Sequence, residues 1–201
     1  MDRLKGRTKF YLFFRSFLER VLSLCILILL SPVFLIISFI ILITMGRPIF
    51  FIQDRMGRGN QAFRMYKFRT MRHDNQKVVY ASENDPRVTK FGQIIRKRRL
   101  DELPQFLNIL IGNMSLIGPR PEPMQLAEKY TETITDYNVR HLVKPGITGY
   151  AQVKMGYADS EDTTKVKVSY DLEYVRNLSL LLDIQIILKT IRVIFTGFGA
   201  R

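Results

Sequence analysis

The chain has 201 residues, 47% apolar and 24% charged, which supplies a buried core and excludes an intrinsically disordered segment. Lysine and arginine number 31 against 18 acidic residues, a formal charge of +13 that calls for an anionic partner: phosphate-rich small substrate, anionic lipid or nucleic acid. The single cysteine, Cys25, excludes an internal disulfide and suits a reducing compartment; lying in an apolar run, it reads as a small buried hydrophobe.

Val21 to Met45 carries no charged residue. By length it could span a bilayer, since roughly 20 apolar residues suffice, and it is too long and lacks the cleavage site of a signal peptide. Two features argue instead for a re-entrant segment. Ser31 and Pro32 stand near its middle, where Pro32 must kink or break a helix and the Ser31 hydroxyl can satisfy a freed carbonyl. The halves, about 10 and 13 residues at 1.5 Å per residue, are each too short to cross. Both flanks are also basic, with Arg3, Lys5, Arg7, Lys9, Arg15 and Arg20 before the run and Arg47, Arg55, Arg58, Arg64 and Lys67 after it. A spanning helix concentrates such charge on one side. A helix–break–helix that enters and leaves on the cytoplasmic face accommodates both.

Arg47 to Met71 predicts a β-hairpin turning at Gly57-Arg58-Gly59-Asn60, and His73 to Asp85 a polar loop. Thr89 to Arg99 has a helical pattern with Phe91, Ile94 and Ile95 on one side and Arg96 to Arg99 at its C-terminal end. Leu103 to Ile111 is a second helix, with Pro104 in its first turn and Gly112 as its stop. An amphipathic helix is expected from about Glu122 to Val143, broken by Lys144-Pro145-Gly146. Another runs from Glu161 to Val175 with Asp171, Glu173 and Arg176 on its polar side. Ser179 to Phe195 is apolar except for Asp183, Gln185, Lys189, Arg192 and hydroxyls, which suits a helix lying in an interface or on a core. The fold class is α/β, mainly helical with a small β-hairpin or sheet, a re-entrant N-terminal helix pair and interfacial amphipathic helices. The expected division is 1–46, the basic N-terminus and membrane hairpin, and 47–201, a cytoplasmic catalytic domain.

The sharpest candidate site is Leu100-Asp101-Glu102-Leu103-Pro104-Gln105. Neighbouring residues on a helix diverge by about 100°, so Asp101 and Glu102 suit different jobs: one a nucleophile, the other a hard-oxygen ligand for Mg²⁺. The plain alternative is helix capping. Arg96 to Arg99 lie just upstream, and Arg120, pinned between Pro119 and Pro121, could aim its guanidinium fork at a diphosphate or merely mark a turn. An oxyanion nucleophile, a divalent cation and neutralising cations are the parts of metal-assisted phosphoryl transfer. His73 and His141 stand alone, solvated or structural, so no zinc cluster is present. No P-loop, dinucleotide fingerprint or nucleic-acid module is recognisable, and nucleic acid is set aside as a partner.

In this setting the chain resembles the monotopic phosphoglycosyl transferases, or bacterial sugar transferases. Six segments carry the likeness in order: the apolar stretch with Ser31-Pro32; Tyr66-Lys67-Phe68-Arg69-Thr70-Met71; and Thr89-Lys90-Phe91-Gly92 followed by Arg96. Then come Leu100 to Gln105, Gly118-Pro119-Arg120-Pro121-Glu122, and Lys144-Pro145-Gly146-Ile147-Thr148-Gly149-Tyr150-Ala151-Gln152-Val153. The resemblance implies a re-entrant helix, an α/β domain at the cytoplasmic face of the bacterial inner membrane, and Mg²⁺ dependence. It implies that Asp101 attacks the β-phosphorus of a UDP-sugar and expels UMP. Glu102 would hold the metal, and Arg96 and Arg120, with Lys67, would neutralise phosphate. Polyprenyl (undecaprenyl) phosphate would then accept the phosphosugar, starting exopolysaccharide or other glycoconjugate assembly.

Tyr150 stands where the family usually has Trp, and Lys154-Met155-Gly156-Tyr157 replaces the usual Asn-Gly-Arg-Asn. With Leu180-Leu181-Leu182-Asp183 and Thr196-Gly197-Phe198-Gly199, this is similar to the exopolysaccharide-associated branch. Many relatives there carry extra N-terminal membrane helices; the chain reads as the catalytic core alone. The transferred sugar and self-association stay open. The competing class is a basic membrane-anchored scaffold for anionic phospholipid or partner proteins, which explains the charge but not the Asp-Glu pair beside arginines.

Overall fold

A computed structural model describes residues 6–72, 85–155 and 161–196. The molecule is mostly helical, with two two-stranded sheets. The N-terminal stretch forms α1 (Gly6–Leu29) and α2 (Ser31–Met45), bent by 61° at the break. Pro32 opens α2, where its missing N–H costs no hydrogen bond, and Ser31 Oγ donates to the Ile28 carbonyl at 2.8 Å. Among the described residues no single helix is long and apolar enough to cross a membrane; only the bent pair passes on length and composition.

Helix α1 begins well upstream of the apolar run, and its first half is amphipathic. Phe10, Phe13 and Phe17 face outward, while Arg15 and Glu19 turn inward. The exposed apolar side continues through Leu24 and Ile28, and Cys25 lies on it. The expectation of a buried thiol therefore fails, because this face of the helix is turned away from the core. On α2, Ile37 and Ile41 are buried against Phe68 and Ile95, whereas Leu35, Ile36 and Phe39 are exposed.

The expected hairpin is present. Strands β1 (Phe50–Met56) and β2 (Ala62–Phe68) pair antiparallel, with Phe51 opposite Lys67, across a 3₁₀ turn at Arg58–Asn60 in which Gly59 takes φ 67°. Gly59 makes that left-handed geometry cheap. Of the preceding polar segment, 73–84 lie outside the described residues. Helix α3 (Lys90–Lys97) is capped by Thr89, whose Oγ1 accepts from Gly92 N at 2.9 Å. It buries Ile95 but leaves Ile94 outward, contrary to the sequence reading, because only a narrow stripe meets β2 and α2. Helix α4 (Gln105–Ile111) ends at Gly112 with φ 99°, as its stop signal predicts.

Downstream the structure departs from the sequence reading in three places. The long helix expected from Glu122 to Val143 is α5 (Met124–Thr133) followed by a 3₁₀ segment, Tyr137–Leu142; Asp136 takes φ 60°, which a continuous helix cannot contain. Strands β3 (Ser115–Ile117) and β4 (Gly146–Thr148) pair in parallel, an element with no counterpart in the expectation. The third concerns two acids. Helix α6 (Tyr150–Lys154) leads toward α7 (Glu161–Arg176) and α8 (Leu180–Thr196), close to the expected spans. Asp171, placed on a polar side, is instead buried against Arg140, and Asp183 is buried against Arg15. Each acid has a buried cation as partner, which offsets its desolvation. Of the variant motifs, 156–160 and 197–201 lie outside the described residues.

A polar network fastens α1 to the rest. Arg15 Nη1 donates to Asp183 Oδ2 at 2.6 Å and to the Tyr174 hydroxyl at 2.8 Å, and Nη2 donates to Ser115 Oγ at 2.8 Å. The Ser115 hydroxyl lies 2.8 Å from both Glu19 carboxylate oxygens, and Leu116 N donates to Glu19 at 3.2 Å. One turn of α1 thereby grips β3, α7 and α8 together.

Candidate active site

The site is assembled where β2, the turn before α4 and the Pro119–Pro121 segment meet. Helix α3 is set at the exit of β2 by a close approach: a Cβ on Gly92 would stand 2.2 Å from the Thr70 carbonyl oxygen. Thr89 N donates to that oxygen at 3.1 Å, and Arg96 Nε donates to Thr70 Oγ1 at 2.8 Å. Chain reversal follows at Arg99, whose φ is 54°, and Leu100–Glu102 form a single 3₁₀ turn. Asn108 then locks α4 to the strand, since its Oδ1 accepts from Tyr66 N at 3.0 Å and its Nδ2 donates to the Arg64 carbonyl at 2.7 Å.

Arg120 is held by its neighbours' backbones. Gly118 packs against the 144–146 segment so tightly that a Cβ there would meet the Lys144 carbonyl oxygen at 2.3 Å. Gly146 N donates to the Pro119 carbonyl at 3.0 Å, Arg55 Nη1 to Pro121 O at 2.9 Å, and Arg140 Nη2 to Arg120 O at 2.8 Å. Arg140 is fully buried and paired with Asp171 at 2.7 Å.

These supports bring Lys67, Glu102 and Arg120 into contact. Glu102 Oε1 accepts from Lys67 Nζ at 2.9 Å and from Arg120 Nη2 at 2.7 Å. Burial alone would raise the proton affinity of Glu102; the charges and hydrogen bonds of Arg120 and Lys67 outweigh it and hold this carboxyl well below the usual carboxylate range. Glu102 is therefore no helix cap, and α4 has no side-chain cap.

Asp101 differs. Among the described residues no hydrogen bond or ion pair engages its carboxylate. Burial pushes its proton affinity up and Glu102 adds to the rise, while Lys67, Arg96 and Arg120 hold it back without reversing it. Two adjacent acids thus acquire opposite character, one ionised and twice hydrogen-bonded, the other unbonded and more basic. A more basic carboxylate is the better nucleophile, and an unbonded one would have no partner to lose before attacking.

The chemistry of the oxygens also fits a divalent cation. Glu102 commits only Oε1, and Asp101 is unbonded. Among the described residues no group of three or more His, Cys, Asp or Glu is placed to hold a metal. Further ligands would have to come from substrate phosphate and water, the ordinary situation for Mg²⁺.

All five site residues named from sequence, Lys67, Arg96, Asp101, Glu102 and Arg120, fall in this region, with Lys67 and Arg120 on Glu102 and Arg96 one step removed on Thr70. Ser31 and Pro32 mark the helix break and belong to none of the three segments that build the site. Sequence reasoning did not single out Thr70, Asn108 or Arg140, which act through backbone contacts that leave no compositional signal.

The sequence profile of the bacterial sugar transferases matches residues 10–197. The chain belongs to the bacterial sugar transferase family. Among its relatives, a UDP-N-acetylgalactosamine-undecaprenyl-phosphate N-acetylgalactosaminephosphotransferase of Aeromonas hydrophila is 45% identical, covering 95% of this chain and 46% of that protein. A UDP-glucose:undecaprenyl-phosphate glucose-1-phosphate transferase of Escherichia coli strain K12 is 43% identical over 89% of this chain and 39% of that protein. The chain therefore spans less than half the length of these two relatives. An exopolysaccharide production protein of Rhizobium leguminosarum bv. phaseoli is 37% identical over 84% of this transferase-family chain and 88% of its own length.

Proposed function

We propose that this chain moves a sugar phosphate from a UDP-sugar to polyprenyl (undecaprenyl) phosphate at the cytoplasmic face of a bacterial inner membrane. The observation that carries the reading is the asymmetry between Glu102, held at Oε1 by Lys67 and Arg120, and Asp101, unbonded and more basic beside it. An Asp101 oxygen attacks the β-phosphorus of the donor. The bond from that phosphorus to the bridging oxygen breaks, and UMP leaves with the oxygen. An oxygen of polyprenyl phosphate then attacks the same phosphorus, the acyl-phosphate bond breaks, and the Asp101 carboxylate is restored. Lys67, Arg96 and Arg120 supply the positive field that binds and orients the diphosphate. Mg²⁺, held through Glu102 and substrate oxygens, would add Lewis-acid neutralisation of phosphate charge.

The named activities of the two bacterial phosphotransferases support the donor and acceptor classes, and the Rhizobium relative supports an exopolysaccharide role. Membrane seating rests on the bent pair α1–α2, its basic flanks and the Ser31 hydroxyl on Ile28 O. In this reading the pair dips into the cytoplasmic leaflet and returns, residues 1–46 form the embedded part, and 47–201 carry the chemistry. The test is incubation with Mg²⁺ and a panel of UDP-sugars, following UMP release and the mass added at Asp101. Asp101→Asn should abolish both while keeping membrane association; UMP release at the normal rate would overturn the mechanism.

A further inference from the structure

Glu102, Gln105 and Asn108 recur every third residue along the turn and first half of α4, and the outer two both reach β2. Glu102 meets Lys67 at 2.9 Å, and Asn108 meets Tyr66 N and Arg64 O at 3.0 and 2.7 Å. Residues three apart share a helix face, so Gln105 faces the same strand between them, one turn beyond Asp101. It is 1% exposed. Its Nε2 is buried, and among the described residues neither end of the amide has a hydrogen-bond partner. Of the other buried orphan atoms, Ser23 Oγ on α1 is likewise unbonded, whereas the rest belong to side chains bonded elsewhere: Arg69 donates to the Arg47 and Gly46 carbonyls, and Gln152 to Ile147 O. The Gln105 side chain makes no hydrogen bond among the described residues.

A buried amide N–H without an acceptor forfeits its hydration with nothing in return, and such a group calls for an explanation. Here it stands four residues, about one helical turn, after the unbonded Asp101, on which the charges of Lys67, Arg96 and Arg120 act. A ligand drawn there by three cations is an anion rich in acceptor oxygens. A neutral donor suits this place, because it can bond a phosphoryl oxygen without acting as a fourth counter-ion that would hold Asp101 back from attack.

We propose that the Gln105 amide donates a hydrogen bond to the phosphoryl group that passes through Asp101, so that the amide is satisfied only when the sugar phosphate is in place. This rests on the transferase reading above.

The test compares wild type, Gln105→Met and Gln105→Glu for single-turnover UMP release from UDP-glucose and UDP-N-acetylgalactosamine, with melting temperature measured on the same samples. Gln105→Met keeps the length and removes the donor. Its rate should fall about 10²-fold, the usual effect of losing one preorganised donor. Its melting temperature should hold or rise, since an unpaired buried amide has been replaced by an apolar group. Gln105→Glu should be slower still, because its carboxylate repels the phosphoryl oxygens. A Gln105→Met rate within threefold of wild type, alongside wild-type release, would overturn this assignment and leave the transferase reading standing. A parallel fall in rate and melting temperature would make the amide structural and also overturn it. Absence of UMP release from folded wild type with every UDP-sugar of the panel would overturn both readings.

Discussion

Glu102→Gln keeps the shape of the side chain and removes its charge. Its Oε1 accepts from Lys67 at 2.9 Å and Arg120 at 2.7 Å. Charge-assisted bonds contribute about 1.5–3 kcal/mol each, and bonds to a neutral acceptor about 0.5–1.5. The change should therefore cost about 1 kcal/mol per bond, somewhat less for Arg120, a third of whose side chain is exposed. A total near 2 kcal/mol lowers the melting temperature of a chain this size by about 4–8 °C. The pH–rate profile moves in a direction of its own. The attacking form of Asp101 is the carboxylate, so kcat/KM falls as pH drops through its pKa. The negative charge of Glu102 helps keep that pKa raised. Removing it lowers the pKa and shifts the acid limb to lower pH. Thermal melts and a pH series of UMP release on residual activity read both effects. An unchanged melting temperature, or an acid limb moved upward, would refute the account of this pair.

Arg140→Met should destabilise by about 3–5 kcal/mol, seen as a lower urea midpoint, because Asp171 is left buried without its cation. Adding Asp171→Leu should restore much of that loss, but not the support of the Arg120 carbonyl, so activity stays low. His141 gives stability its own pH dependence. Burial, reinforced by the charge of Arg140, depresses its pKa from 6.5 to about 3. Between those values the unfolded chain binds a proton that the folded chain does not, so stability falls as pH drops from 6.5 toward 3, at up to about 1.4 kcal/mol per pH unit. Urea titrations across that window should show the slope, and His141→Gln should flatten it.

Much of the site was legible because its parts advertise themselves locally. Gly57 to Asn60 announces the hairpin that presents Lys67, Thr89 caps the helix that carries Arg96, and Gly112 closes α4. The Asp101-Glu102 pair could be found, but not sorted. Which acid is free depends on Lys67 and Arg120, 35 and 18 residues from Glu102 in sequence. The strands β3 and β4 are three residues each, too short to show a period, and their parallel pairing joins segments about 30 residues apart. Asp171 read as a polar-side acid, and the burial of Asp183 went unread, because Arg140 and Arg15, the cations that let them be buried, lie on other elements. The helix expected through Val143 failed at Ile134, which is extended, and at Asp136, whose left-handed backbone carries no strong signature outside glycine.

The grip of Arg15 and Glu19 on Ser115, Tyr174 and Asp183 also bears on how the first helix can be altered. A chimera that swaps this helix for an unrelated greasy tether would still bring the remainder to lipid. It would leave a carboxylate on α8 without its guanidinium and strip the outer support from β3, the strand that feeds directly into the Pro119–Pro121 clamp. Attachment and architecture are thus written into the same helix and cannot be transplanted one without the other.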